Sequence, residues 1–213
     1  MIRSAPVRSP LRIGLFGGSF DPPHIGHLLM VQDVRDQLAL DRLLVIPAAQ
    51  QPLKGSEQTP VAHRLAMAQA CFADIPDCIV DPAEIERGGL SFMVDTVADL
   101  RRRWPDADLH LLVGHDVVPT LPRWKDIDHL LTQVQLVVMD RNGGGVGDHE
   151  LVHGGVQARR LAVRRVDVSS TEIRARVATG RSIRGFVTDA VATYIASTGL
   201  YRENSRVRAA TDS

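Results

Sequence analysis

Short apolar runs punctuate the chain at Arg12–Phe16, Arg42–Ile46, Cys78–Val80, Leu109–Val113, Gln135–Met139 and Leu161–Val166. Elsewhere the apolar positions fall at helical spacing, over Gly26–Leu40, Val61–Asp74, Phe92–Arg103, Pro122–Leu131, Thr171–Thr179 and Thr188–Thr198. Several strand candidates are continuous rather than alternating, as expected of parallel strands covered on both faces. Strand–helix alternation of this kind predicts an α/β fold with a doubly wound, mostly parallel, Rossmann-like sheet. Such a sheet takes its ligands beyond the carboxyl ends of its strands. We expect one domain over residues 1–202, a glycine-rich loop over 142–155, and a polar, disordered tail over 203–213.

Composition narrows the classes. An apolar fraction of 44% suffices for a real core in a chain of 213 residues. Lys plus Arg equals Asp plus Glu at 25 each, so no overall basic field draws in nucleic acid, and aromatics at 4% offer no stacking platform. The local exception is Gln157–Arg184, where eight arginines face only Asp167 and Glu172. Such a run is either a solvated face or a site for phosphate groups. Cys71 and Cys78 make no disulfide framework and no metal spacing. With no signal-like or membrane-spanning apolar stretch, we expect a cytoplasmic protein without a membrane partner.

Two segments concentrate chemistry. In "GGSFDPPHIGH", residues 17 to 27, Gly17, Gly18 and Ser19 are placed just past the first strand. Glycine there allows positive φ and lets a ligand approach bare backbone. A glycine loop running into a helix N-terminus favours an anion such as phosphate. His24 and His27, three apart, can point the same way from the first helical turn and donate to phosphate oxygens. The second segment is "VSSTEIRAR", residues 168 to 176, in which Ser169 and Glu172 form a capping box and Arg174 reaches the opening turn. A capping box alone only starts a helix. Two donor-rich helix starts in one α/β domain suit a triphosphate.

These stretches resemble the Gly-Gly-x-Phe-Asp-Pro-x-His-x-Gly-His and Ser-Ser-Thr-x-Ile-Arg signatures of the nucleotidyltransferase superfamily. With "VIPAAQQPLK" (45–54), "SFMVDTV" (91–97), "GHDVV" (114–118), "LPRW" (121–124) and "TGLY" (198–201), the chain resembles the bacterial nicotinate-nucleotide adenylyltransferase family from Ile13 to Arg202. The resemblance implies transfer of an adenylyl group from ATP, with Mg²⁺, to nicotinate mononucleotide, releasing pyrophosphate. It implies that Gly17, Gly18, Ser19 and Phe20 line the ATP site and that His24, His27, Ser170, Thr171 and Arg174 hold its phosphates. Gly114 and Asp116 would lie at the nucleotide cleft, Asp116 as a ribose partner. Trp124 would stack on the nicotinate ring and Lys54 would lie near the mononucleotide phosphate. Met93 stands where the family often has a threonine beside the nicotinate carboxylate, and Ala48 and Leu53 also depart from the usual pattern.

A phosphate monoester has a second pKa of about 6 and arrives mostly ionised, so no general base is required. His24, His27 and Arg174 are therefore expected to stabilise charge rather than abstract a proton. Two alternatives stay open: a sister transferase using nicotinamide mononucleotide or another phosphorylated acceptor, and a nucleotide-binding module without turnover.

Overall fold

A computed structural model of the chain describes residues 9–53, 59–140, 149–151 and 153–202. The elements run β1 (Arg12–Gly18), α1 (Ile25–Leu38), β2 (Arg42–Pro47), α2 (Val61–Phe72), β3 (Cys78–Val80), α3 (Ala83–Arg87) and α4 (Met93–Arg103). There follow β4 (Asp108–Gly114), a 3-10 stretch His115–Arg123, α5 (Ile127–Gln133), β5 (Gln135–Asp140), β6 (His149–Leu151), β7 (Gln157–Ala162), α6 (Ser170–Ala178) and α7 (Asp189–Thr198). They build a seven-stranded sheet in the order β3-β2-β1-β4-β5-β7-β6. Every pairing is parallel except β6 against β7. The doubly wound, mostly parallel sheet expected from the apolar runs is the observed architecture.

Strand alternation divides the core between two faces. Leu43, Val45, Val137, Met139 and Leu161 turn to one side, against Met30, Val31, Val34 and Leu38 of α1 and the buried faces of α2 and α7. Leu44, Ile46, Leu111, Val113, Leu136 and Val138 turn to the other, against Val97 and Leu100 of α4 and Leu130 of α5. The interiors of β2 and β5 are thus apolar at successive positions on both faces, which is why they read as unbroken runs.

The structure corrects four local expectations. Gly17 and Gly18 are the last two residues of β1, paired with Ile46 and Pro47, and neither takes a positive φ. Phe20 makes the left-handed turn instead, at φ 49°. The helix expected over Pro122–Leu131 is split: the 3-10 stretch ends at Arg123, Asp126 sits in the left-handed region at φ 47°, and α5 starts only at Ile127. Pro119 and Pro122 lack the amide donors a regular helix needs. The last parallel strand is 157–162 rather than 161–166, because the chain leaves the sheet at Val163 and Asp33 of α1 accepts the Arg164 amide at 2.8 Å. The expected 142–155 loop contains β6 at 149–151, antiparallel to β7. The 203–213 tail lies outside the described residues.

Candidate active site

The site exists because two neighbouring strands part. β1 and β4 pair only from Arg12↔Asp108 to Leu15↔Leu111. Beyond that, β1 follows β2 as far as Gly18↔Pro47, while β4 follows β5 as far as Gly114↔Met139. Strand order reverses at this junction, the place where an open α/β sheet forms its crevice. The parted ends, Phe16–Gly18 and Leu112–Gly114, line a cavity of about 530 Å³. Side chains would be crowded at the glycines here. A Cβ on Gly17 would press on Met93 Cε at 3.0 Å, one on Gly18 would meet the Phe20 ring at 3.0 Å, and one on Gly114 would collide with Asp116 Oδ1.

On the α1 side, Phe20 packs edge-on against Phe16, Phe72 and His27. His24 is the N-cap of α1, and its ring stacks on His27 with centroids 3.7 Å apart. The His24 amide donates to His27 Nδ1 at 3.2 Å. That bond places the ring proton of neutral His27 on Nε2. His27 borders the cavity, and His24 is buried behind it at 5% exposure. The Ile25 amide is committed to the Phe186 carbonyl at 2.9 Å, so the α1 start presents its histidines more than its backbone.

The two sequence signatures, about 150 residues apart, meet. Ser170 Oγ donates to the Pro22 carbonyl at 2.8 Å, and Arg174 Nη1 donates to the Asp21 carbonyl at 2.7 Å. Arg174 Nη2 also reaches Thr171 Oγ1 at 3.3 Å, while Ser169 caps α6 by accepting from Glu172. The Asp21 carboxylate is buried, accepting from the Tyr201 hydroxyl at 2.7 Å and the Thr59 amide at 3.3 Å. Burial pushes the Tyr201 phenol well above its ordinary range. Below the loop, Arg64 is buried at 1% exposure and donates to four carbonyls, of Ser19, Ala48, Ala49 and Thr59. Burial lowers its pKa, with the Asp21 and Tyr201 charges opposing.

The far end of the cavity is aromatic. Trp124 Nε1 donates to Thr120 Oγ1 at 3.2 Å, which fixes the indole beside Phe92 and Met93. Met93 begins α4, and its N-cap Phe92 supplies no side-chain hydrogen bond to the first-turn amides. Ser91 Oγ accepts the Ala49 amide at 2.9 Å, closing this end against the strand side. Glu84 also lines the cavity although it is buried at 3% exposure. Burial raises its pKa, and the hydroxyls of Thr96 and Ser91 oppose that rise.

Of the residues singled out in the sequence, Gly17, Gly18, Phe20, His27, Met93, Gly114, Asp116 and Trp124 border the cavity. His24, Ser170 and Arg174 join it through the ring stack and the carbonyl bonds, and Thr171 through its contact with Arg174. Ser19 does not border it: its Oγ is buried and its carbonyl holds Arg64. Lys54 lies outside the described residues. Sequence reasoning missed Glu84, Phe92, Thr120, Lys125 and the Arg64 clamp. No sequence signal pointed to Arg64, whose role appears only from its burial and its carbonyl partners.

Site and fold together define a nucleotide-handling α/β transferase class, and residues 15–176 match it: the chain belongs to the cytidylyltransferase-like family. Within it, the chain is 65% identical over 206 residues to a probable nicotinate-nucleotide adenylyltransferase of Gemmatimonas aurantiaca, covering 95% of this chain and 98% of the relative. It is 40% identical to a relative of the same name from Albidiferax ferrireducens, covering 90% and 98%. Its fold is similar to that of Plasmodium falciparum nicotinic acid mononucleotide adenylyltransferase complexed with NaAD, at TM-score 0.72 and 15% identity over 89% of this chain and 97% of that one.

Proposed function

We propose that this chain transfers the adenylyl group of ATP to the phosphate of nicotinate mononucleotide, forming nicotinate adenine dinucleotide and pyrophosphate. One observation carries the reading. The α1 and α6 signatures are fastened to each other at the parted ends of β1 and β4, and the same cavity continues to an aromatic end at Trp124 and Phe92. That shape suits a nucleotide at one end and a planar ring at the other. The names of the relatives supply the acceptor.

The nucleophile is a phosphate oxygen, already ionised at neutral pH, so the protein's work is positioning and charge stabilisation. His27 Nε2–H donates toward the reacting phosphate, backed by the stacked ring of His24. Arg174 and Thr171 receive the outer phosphates as pyrophosphate departs. Asp116, two residues past the end of β4, accepts from the ribose, and Trp124 stacks on the acceptor ring. Mg²⁺ bound with the nucleotide would offset the charge of its phosphates beside His27, Thr171 and Arg174.

Pyrophosphate release from MgATP, with nicotinate mononucleotide and nicotinamide mononucleotide offered in parallel, tests the proposal. Release with a clear preference for the acid is expected. Release with other phosphorylated acceptors only, or with none, overturns it.

A further inference from the structure

Two cationic side chains, Arg123 and Lys125, border the cavity among the described residues, and Lys125 is the one held in place. Its Nζ lies 3.0 Å from both carboxylate oxygens of Asp95. It also lies 4.9 Å from the centroid of the Phe92 ring, within cation–π range. Both members of the ion pair are near 40% exposed, at 42% for Lys125 and 39% for Asp95. The pair is therefore open to solvent at the cavity mouth.

The surroundings are those of a carboxylate on an aromatic ring. Trp124, adjacent in sequence to Lys125, supplies a fixed indole. The start of the 11-residue helix α4 supplies a positive dipole end, with no side-chain hydrogen bond from its N-cap Phe92. Met93 supplies no hydroxyl at the first helical position. Asp95, however, stands in the first turn of α4, where its charge alone would repel an acidic ring substituent. Lys125 cancels that charge. A neutral amide substituent gains nothing from the cancellation.

We infer that Lys125, held by Asp95 and Phe92 at the aromatic end of the cavity, selects an acceptor whose ring bears a carboxylate over its amide counterpart. The inference rests on the adenylyl transfer proposed above and adds the side chain that sets its acceptor preference. Lys125 is a specificity-determining residue that acts on binding, so its removal should appear in KM for the acceptor rather than in kcat.

The experiment compares kcat and KM for nicotinate and nicotinamide mononucleotides in the wild type, Lys125→Met, Lys125→Arg and Asp95→Asn. Lys125→Met keeps the stem and removes the charge. It should lower kcat/KM for the acid roughly fivefold to twentyfold, the scale of one half-exposed charge contact, with the amide changed less than twofold. Lys125→Arg should keep the preference, and Asp95→Asn should hold or sharpen it. The acid preference of the wild type should fall between 50 and 500 mM salt, and that of Lys125→Met should not. Equal losses with both acceptors, or no change with either, overturn the inference and leave adenylyl transfer standing. A wild type that releases pyrophosphate with neither acceptor defeats the underlying reading instead.

Discussion

His27 uses its two ring nitrogens differently. Nδ1 accepts the backbone amide of His24 at 3.2 Å, which fixes a ring that borders the cavity and assigns the proton to Nε2. Alanine removes the donor but leaves the Phe16 and Phe20 rings packed against each other. His27→Ala is therefore expected to lose roughly a hundredfold to a thousandfold in kcat, the usual cost of one donor aimed at transition-state charge. Its circular dichroism and melting should stay close to wild type. Near-normal kcat in a folded variant would make the ring a cap and nothing more. Gly114 illustrates a different constraint at the same scale. Its missing side chain leaves room for Asp116 Oδ1. Gly114→Ala should push the carboxylate off its position and raise KM for ATP by roughly tenfold to a hundredfold, as small misplacements do. An unchanged KM would remove Asp116 from the nucleotide site.

At the scale of elements, the loop between β1 and α1 is held from three directions. Arg64 of α2 holds it from below through the Ser19 carbonyl, α6 holds it through Asp21 and Pro22, and Tyr201, after α7, holds the Asp21 carboxylate. Tyr201→Phe deletes only the hydroxyl and leaves one oxygen of a buried carboxylate without its donor. Denaturant unfolding should show a loss of about 1–3 kcal/mol with an unchanged m-value. No loss would mean that water replaces the hydroxyl. This fastening explains what the sequence could and could not tell. The central strands were legible because both faces of each are buried, and the two signatures were legible because helix starts with donor side chains have local spacing. The clamp was not, since Arg64, Asp21 and Tyr201 are brought together by tertiary packing alone. The broken turn at Asp126 escaped for a related reason. The apolar positions of Pro122–Leu131 fit a helix, but the extended backbone at Trp124 and the left-handed one at Asp126 interrupt it. Lys125 carried no local signal because its neighbours, Asp95 and Phe92, lie about 30 residues away.

For the whole molecule, the pH dependence of stability should be marked by a residue remote from the chemistry. His110 lies in β4, buried at 1% exposure, with Nε2 3.2 Å from Asp108 and Nδ1 buried without a hydrogen-bond partner. Burial lowers its pKa from the ordinary 6.5, Asp108 opposes the shift, and the charges of Arg12 and Arg159 add to it. As pH falls through 6.5, the unfolded chain takes up this proton before the native chain does. Stability is then full above about pH 6.5 and declines below it, down to the native pKa. Glu84 works the other way. Its raised native pKa means that the native chain binds a proton first, so acidification through that value relieves a cost. The two contributions separate in a variant. His110→Gln keeps a neutral donor for Asp108 and cannot be protonated. Thermal unfolding between pH 8 and 5 should show the wild type losing stability relative to His110→Gln as pH drops below 6.5, with the gap constant above it. Parallel curves across the whole range would show that His110 titrates alike in both states, and that burial in β4 does not govern its proton.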